Sequence, residues 1–163
     1  MKTLGLDCAT KTGWAIAIDG LIVQSGVKDF SKKRGESNGI MFLRFRQWLE
    51  DTLMSETKFD MVCYEQAHHR GGAATEVCVN LTGRVQEICE QYGVEYMPVH
   101  SASLKKFATT KGRATKDEMI SAINKKLFAN PKLGYKTSLI TDDNEADACW
   151  LALYPLNKGG KRG

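Results

Sequence analysis

The sequence predicts an α/β domain, and three observations predict it. The N-terminal region alternates short apolar runs with turn-forming residues, the pattern of β-hairpins. Two further apolar runs, 59–65 and 94–99, are separated by a segment of helical periodicity. The final third carries capping signals and helical spacing without a strand pattern. Composition agrees: 42% hydrophobic and 26% charged residues are ordinary for a folded chain, and 163 residues suffice for one core. We expect a single domain over residues 1–156 and a basic, flexible tail at 157–163.

The first apolar run, Leu4-Gly5-Leu6, ends on Asp7, and a second begins at Trp14. Thr10, Lys11, Thr12 and Gly13 between them are expected to form the turn of a hairpin. Asp19-Gly20, a strong two-residue hairpin signal, then leads into a third strand over 21–27. A basic, Gly-containing loop at 31–39 precedes a helix at about 38–55, with Leu43, Trp48, Leu49 and Leu53 among its apolar positions. The fourth strand runs from Phe59 to Glu65 and again finishes on a carboxylate. After the loop His68-His69-Arg70-Gly71-Gly72, Ala74, Val77, Leu81, Val85, Ile88 and Tyr92 mark an amphipathic helix that Gly93 stops. Gly83 inside it costs about 1 kcal/mol relative to Ala, which close approach of another backbone would justify. The face containing Gly83 reads equally well as a subunit interface and as core packing.

Val94 to Val99 is the fifth strand, with Pro98 placing its end near a sheet edge. Ser101 or Ser103 is expected to cap a short helix through Lys106. Thr115 with Glu118 forms a capping box for the next helix, whose inner face carries Met119, Ile120, Ile123 and Leu127 and which Asn130-Pro131 closes. A last helix is expected over 142–154.

No apolar run approaches the roughly eighteen residues of a membrane span, and the N-terminus lacks signal-peptide anatomy. We therefore expect a cytoplasmic protein without membrane contact. Five cysteines at wide spacing, with no C-x-x-C pair, predict reduced thiols and neither a disulfide framework nor structural zinc. The net charge of +4 is unevenly distributed: residues 99–136 hold nine Lys or Arg against Asp117 and Glu118. Such an excess is either a solvated helix face or a footprint for a polyanion.

Asp7 alone reads as a turn cap or as a metal ligand; other carboxylates arriving at the same place decide. Glu65 ends the fourth strand, and the last helix opens with Thr141-Asp142-Asp143-Asn144-Glu145-Ala146-Asp147. The helix dipole accounts for Asp142 and Asp143. It does not account for Asp147, which shares a face with Asp143 at i, i+4 and repels it unless a cation intervenes. If the first and fourth strands are neighbours with the last helix across their ends, Asp7, Glu65, Asp143 and Asp147 converge. Hard oxygen donors without His or Cys suit Mg²⁺ or Mn²⁺, and a pair of such ions serves phosphodiester hydrolysis. Together with the basic segment this points to a metal-dependent nuclease.

Gly5-Leu6-Asp7 followed by Thr12-Gly13-Trp14-Ala15, then Tyr64-Glu65-Gln66, then Glu145-Ala146-Asp147-Ala148 resembles the RuvC family of Holliday junction resolvases. The likeness spans nearly the whole chain in motif order, and the compact form is most similar to the bacteriophage branch. Val99-His100-Ser101 through Lys106 and Lys111-Gly112-Arg113-Ala114-Thr115-Lys116 are similar to the family's basic region. The resemblance implies a ribonuclease H-like fold: a mixed five-stranded sheet, first three strands antiparallel, flanked by helices. It implies a homodimer that nicks four-way and branched DNA symmetrically, using two Mg²⁺ or Mn²⁺ ions per site, in a bacterial host cell if phage-encoded.

Carried over by position, Asp7, Glu65 and Asp147 match metal ligands, and Lys116 with Lys105 or Lys106 match phosphate-contacting lysines. The family's D-x-x-D spacing would put the fourth ligand at position 144, which is Asn144 here, so Asp143 at i−4 is the expected substitute. Lys116 is also expected to stabilise charge building on the phosphate. The expected DNA contacts are Lys105, Lys106, Lys111, Arg113, Lys116, His68, His69 and Arg70, with simple solvation the competing reading for the histidines. Two other functions fit the same residues: a ribonuclease H-like nuclease with a different nucleic-acid substrate, and a non-catalytic junction-binding protein.

Overall fold

The computed structural model describes residues 1–68, 71–129 and 139–157. Its strands are β1 (Lys2–Asp7), β2 (Lys11–Ile18), β3 (Leu21–Asp29), β4 (Met61–Glu65) and β5 (Glu95–Val99). Its helices are α1 (Asn38–Leu53), α2 (Ala73–Tyr92), α3 (Ser101–Thr109), α4 (Lys116–Phe128) and α5 (Asp143–Asn157). The sheet order is β3-β2-β1-β4-β5. β1, β2 and β3 pair antiparallel, whereas β4 lies parallel to β1 and β5 parallel to β4. This is the mixed sheet that was expected.

Alternation along the strands splits the interior into two layers. Leu4, Leu6, Val62 and Tyr64 join α1 and α2 in one apolar cluster. Ala15, Ala17 and Cys63 join α3, α4 and α5 in the other. α5 is buried along most of its length, including Ala146, Ala148, Cys149, Leu151 and Ala152. It lies along the face of β1 and β2, where the sequence had suggested a position across the strand ends. Gly5 and Gly13 permit this. A methyl group at Gly5 would be driven into the Ala148 carbonyl and the Ala152 amide, and one at Gly13 into the Asn144 carbonyl. The Thr3 hydroxyl donates to the Ala152 carbonyl at 2.6 Å and fixes the helix further along.

Several local expectations change. Lys11, Thr12 and Gly13 belong to β2, so the hairpin turn is shorter; Gly13 pairs with Asp7. Asp19 and Gly20 do form a two-residue turn, both at positive φ. His100 precedes α3 as its N-cap and Ser101 is the first helical residue, so neither Ser101 nor Ser103 caps it. The Thr115–Glu118 capping box is present. α4 ends at Phe128, and Asn130 and Pro131 lie outside the described residues, as do 158–163 of the tail. α5 continues through Pro155 to Asn157. Leu43 faces solvent, and α1 buries Met41, Phe42, Phe45, Leu49 and Leu53. All five cysteines are free. Among the described residues no helix is long and apolar enough to cross a membrane.

Replacing Gly5 or Gly13 with Ala forces α5 off the sheet, because the obstructing atoms are backbone. Each substitution should destabilise the protein by about 1–3 kcal/mol, read as a lower urea midpoint at unchanged slope.

Candidate functional site

Asp7 and Glu65 reach the same edge of the sheet by register. Leu6 pairs with Tyr64 in the parallel β1–β4 ladder, so the next residues, Asp7 and Glu65, stand side by side. With Leu6 and Tyr64 turned toward α1 and α2, period-two alternation turns both carboxylates toward α5. The first two turns of α5 bring Asp143 and Asp147, one helical turn apart, to that edge.

The four acids act on one another electrostatically. Burial first, then the charges of Asp147, Glu65 and Asp143, push the Asp7 carboxyl well above the usual carboxylate range, with Lys116 opposing. Asp147 is pushed up to about 7, by burial first and then by Glu65 and Asp143, against Lys105 and Lys116. Its Oδ1 is shut from solvent and has no hydrogen-bond partner. Burial also raises Glu65, while Ser101, His68 and Lys105 favour its ionised form. Lys116 forms an ion pair with Asp143, which raises the lysine. Burial and crowding thus favour the protonated forms of Asp7, Glu65 and Asp147, against the pull of Lys105 and Lys116.

The expected basic residues divide by position. Lys116 and Lys105 lie within the field of the acids. Lys106 and Arg113 are exposed, and Lys111 is paired with Glu118 at 2.8 Å. His68 Nε2 stands 3.9 Å from Glu65 Oε1. His69 and Arg70 lie outside the described residues, as do Lys132 and Lys136 of the basic segment.

Asn144 does not occupy the role its position suggests. Its side-chain amide donates to the Lys11 carbonyl at 3.0 Å, tying the start of α5 to β2. Glu145, quoted in the sequence motif but given no role there, is buried and accepts a hydrogen bond from the Ser25 hydroxyl at 2.7 Å. Ser101 also went unrecognised as a neighbour of Glu65. The available signal was that Ser101 follows β5 by two residues, and Val99 of β5 is in register with Glu65.

Among the described residues, no three His, Cys, Asp or Glu side chains form a ready-made metal-binding group. The chemistry of the donors nevertheless fits a hard divalent cation: all are carboxylates, and one buried oxygen lacks any partner.

No family model matches the chain, and no curated protein matches it. Among solved structures it is similar to the Thermus thermophilus RuvC structure, with a TM-score of 0.71 and 19% identity over 94% of this chain and 92% of that one. It is also similar to T. thermophilus RuvC in complex with Holliday junction substrate, with a TM-score of 0.74 and 19% identity over 94% of this chain and 91% of that one. The fold is therefore the ribonuclease H-like fold of RuvC.

A carboxyl raised by folding has a definite consequence for stability. Unfolded, Asp147 ionises near pH 3.9; folded, it does so at about 7. Between those values the folded state holds the extra proton, so this group's contribution to stability falls as pH rises. Asp147→Asn should therefore match the parent near pH 4 and gain stability over it progressively to about pH 7, then hold constant. Each pKa unit corresponds to about 1.4 kcal/mol, so the gain should be a few kcal/mol. Urea titrations of both proteins in chelator at the two pH extremes measure it.

Proposed function

We propose that this chain is a metal-dependent endonuclease that cuts four-way and other branched DNA. One observation carries the reading: Asp7, Glu65, Asp143 and Asp147 share one electrostatic basin at the edge of a RuvC-like sheet. The neighbour solved with a Holliday junction substrate supports the choice of branched DNA.

In this reading Asp7, Glu65, Asp143 and Asp147 hold two Mg²⁺ or Mn²⁺ ions, with Asp143 the fourth ligand in place of Asn144. When bound, such ions supply an activated water and stabilise the leaving 3′-oxygen. Asp147 contributes the oxygen that is buried without a partner. Lys116 shields Asp143 until phosphate arrives, then turns its exposed ammonium to the non-bridging oxygens. Lys105, half-buried on α3, opposes the upward shift of Glu65 and Asp147 and so favours their ionised forms. Lys106, Lys111, Arg113, His68, His69 and Arg70 contact the flanking backbone.

Two symmetric nicks call for two copies. The reading places the subunit interface on the exposed side of α2, where Val79 is 38% exposed and a methyl group added at Gly83 would point into open space. A two-fold pair of this kind would match the junction's own symmetry.

Asp7→Asn should lower junction cutting by at least about a thousandfold, several kcal/mol of transition-state stabilisation, while junction binding persists. Cleavage assays with four-way junctions, flaps and RNA–DNA duplexes, with and without Mg²⁺, check this. Unchanged cutting by the variant sinks the site, preference for the hybrid redirects the substrate, and binding without cutting by the parent leaves a junction-binding protein. Val79→Glu should convert a sedimenting dimer to monomer and replace paired nicks with single ones; a dimer that survives it uses another face.

A further inference from the structure

A second group of basic side chains lies outside the 99–136 segment. Lys11, Lys28, Lys32, Lys33 and Arg34 are all exposed. The topology brings them to the edge that holds the acids. β3 ends beside the start of β2, with Lys28 opposite Thr12 and Asp29 opposite Lys11. The start of β2 is in turn paired with the end of β1, Gly13 opposite Asp7. The Phe30 amide donates to the Thr10 carbonyl at 2.9 Å, so the basic loop leaves the sheet beside the turn that follows Asp7.

The loop is built, not loose. Phe30 is buried, with its ring 5.3 Å from Phe45 and 5.5 Å from Trp48 in edge-on contacts. The Lys33 amide donates to Glu36 Oε2 at 2.7 Å, and the Glu36 amide returns a bond to the Lys33 carbonyl at 3.0 Å. Arg44 grips both oxygens of Glu36, which neutralises the loop's own acid. Asp29 lies in the field of Lys11, and its carboxylate accepts from the Ser31 amide at 2.8 Å. Among the described residues, none of the five basic side chains is in a salt bridge. On the opposite flank, by contrast, Lys111 and Lys116 are already paired.

We propose that Lys11, Lys28, Lys32, Lys33 and Arg34 form a second phosphate-contact surface that holds a double-stranded DNA arm on the β3 side of the acids. The proposal rests on the nuclease reading above and extends it. Four strand spacings separate β3 from β5, about 19 Å, so basic groups on the two flanks bracket the acid cluster across about five or six base-pair steps of 3.4 Å. One flank then orients the cut strand, and the other anchors a neighbouring arm.

The test is Lys32→Ala/Lys33→Ala/Arg34→Ala, compared with the parent by fluorescence anisotropy on a labelled four-way junction between about 50 and about 200 mM salt. The triple variant should bind at least about tenfold more weakly at the higher salt, and its log K against log salt slope should be flatter by about 2 to 3. Its melting temperature should stay that of the parent. Lys32→Arg/Lys33→Arg should retain parental binding, and Lys58→Ala, exposed just before β4 at the end of the sheet away from the acids, should change nothing. Parental affinity and slope in the triple variant overturn the proposal, as does an equal loss in Lys58→Ala. If the parent neither binds nor cuts the junction, the nuclease reading itself fails. If the parent does both and the triple variant binds equally well, only the second surface fails.

Discussion

The geometry of the molecule depends on how closely α5 can lie against β1 and β2. Two strand positions without side chains, Gly5 and Gly13, let helix backbone rest directly on sheet backbone. Thr3 and Asn144 then fix the helix along its axis through single hydrogen bonds to main-chain carbonyls. The distance between Asp7 on the strand and Asp143 and Asp147 on the helix is thus set by backbone packing, which is stiff. Side-chain rotamers alone would leave it loose. Interiors pack too densely to absorb even a methyl at such a contact. The sheet side is equally constrained, since one hydrogen-bonded register places Asp7 beside Glu65.

Rigidity has an electrostatic consequence. Carboxylates gathered at a partly buried edge cannot separate to relieve repulsion, so they hold protons more tightly; Asp7 and Asp147 show this most strongly. Lys116 relieves one of them by pairing with Asp143, and Ser101 and Lys105 temper Glu65. A buried oxygen with no donor near it still remains on Asp147. Arrangements of this kind destabilise the isolated fold and are found where a site's chemistry needs concentrated charge. The basic groups stand around this basin rather than in it: Lys105 and Lys116 at its rim, and Lys28 and the 32–34 loop at the far end of the same edge.

The elements whose local chemistry is strong were legible in the sequence. The Asp19-Gly20 turn, the Thr115–Glu118 box, the stop at Gly93 and the two carboxylates ending β1 and β4 are each specified within a few residues. What could not be read were choices made by tertiary contact. Ser101 looks like a cap, yet the chain leaves β5 so directly that His100 takes that position and Ser101 turns toward Glu65. Glu145 looks like one more acid in an acidic stretch until Ser25, 120 residues away in sequence, is found beside it. Gly5 and Gly13 looked like strand and turn residues; their function is to leave room for a helix that follows more than a hundred residues later.

Asn144 illustrates how a neutral side chain can fix the start of an acidic helix. On a helix, positions three and four residues before Asp147 are both near its face, so a carboxylate can move from one to the other without leaving the edge. Position 144, next to Asp143, holds a neutral donor. An aspartate there would set an acceptor against the Lys11 carbonyl, whereas the asparagine amide donates to it at 3.0 Å. That bond anchors the end of α5 nearest to Asp7, opposite the anchor that Thr3 supplies at Ala152. Asn144 is thus a tether for the start of α5, and it holds the neighbouring Asp143 and Asp147 in place against the sheet.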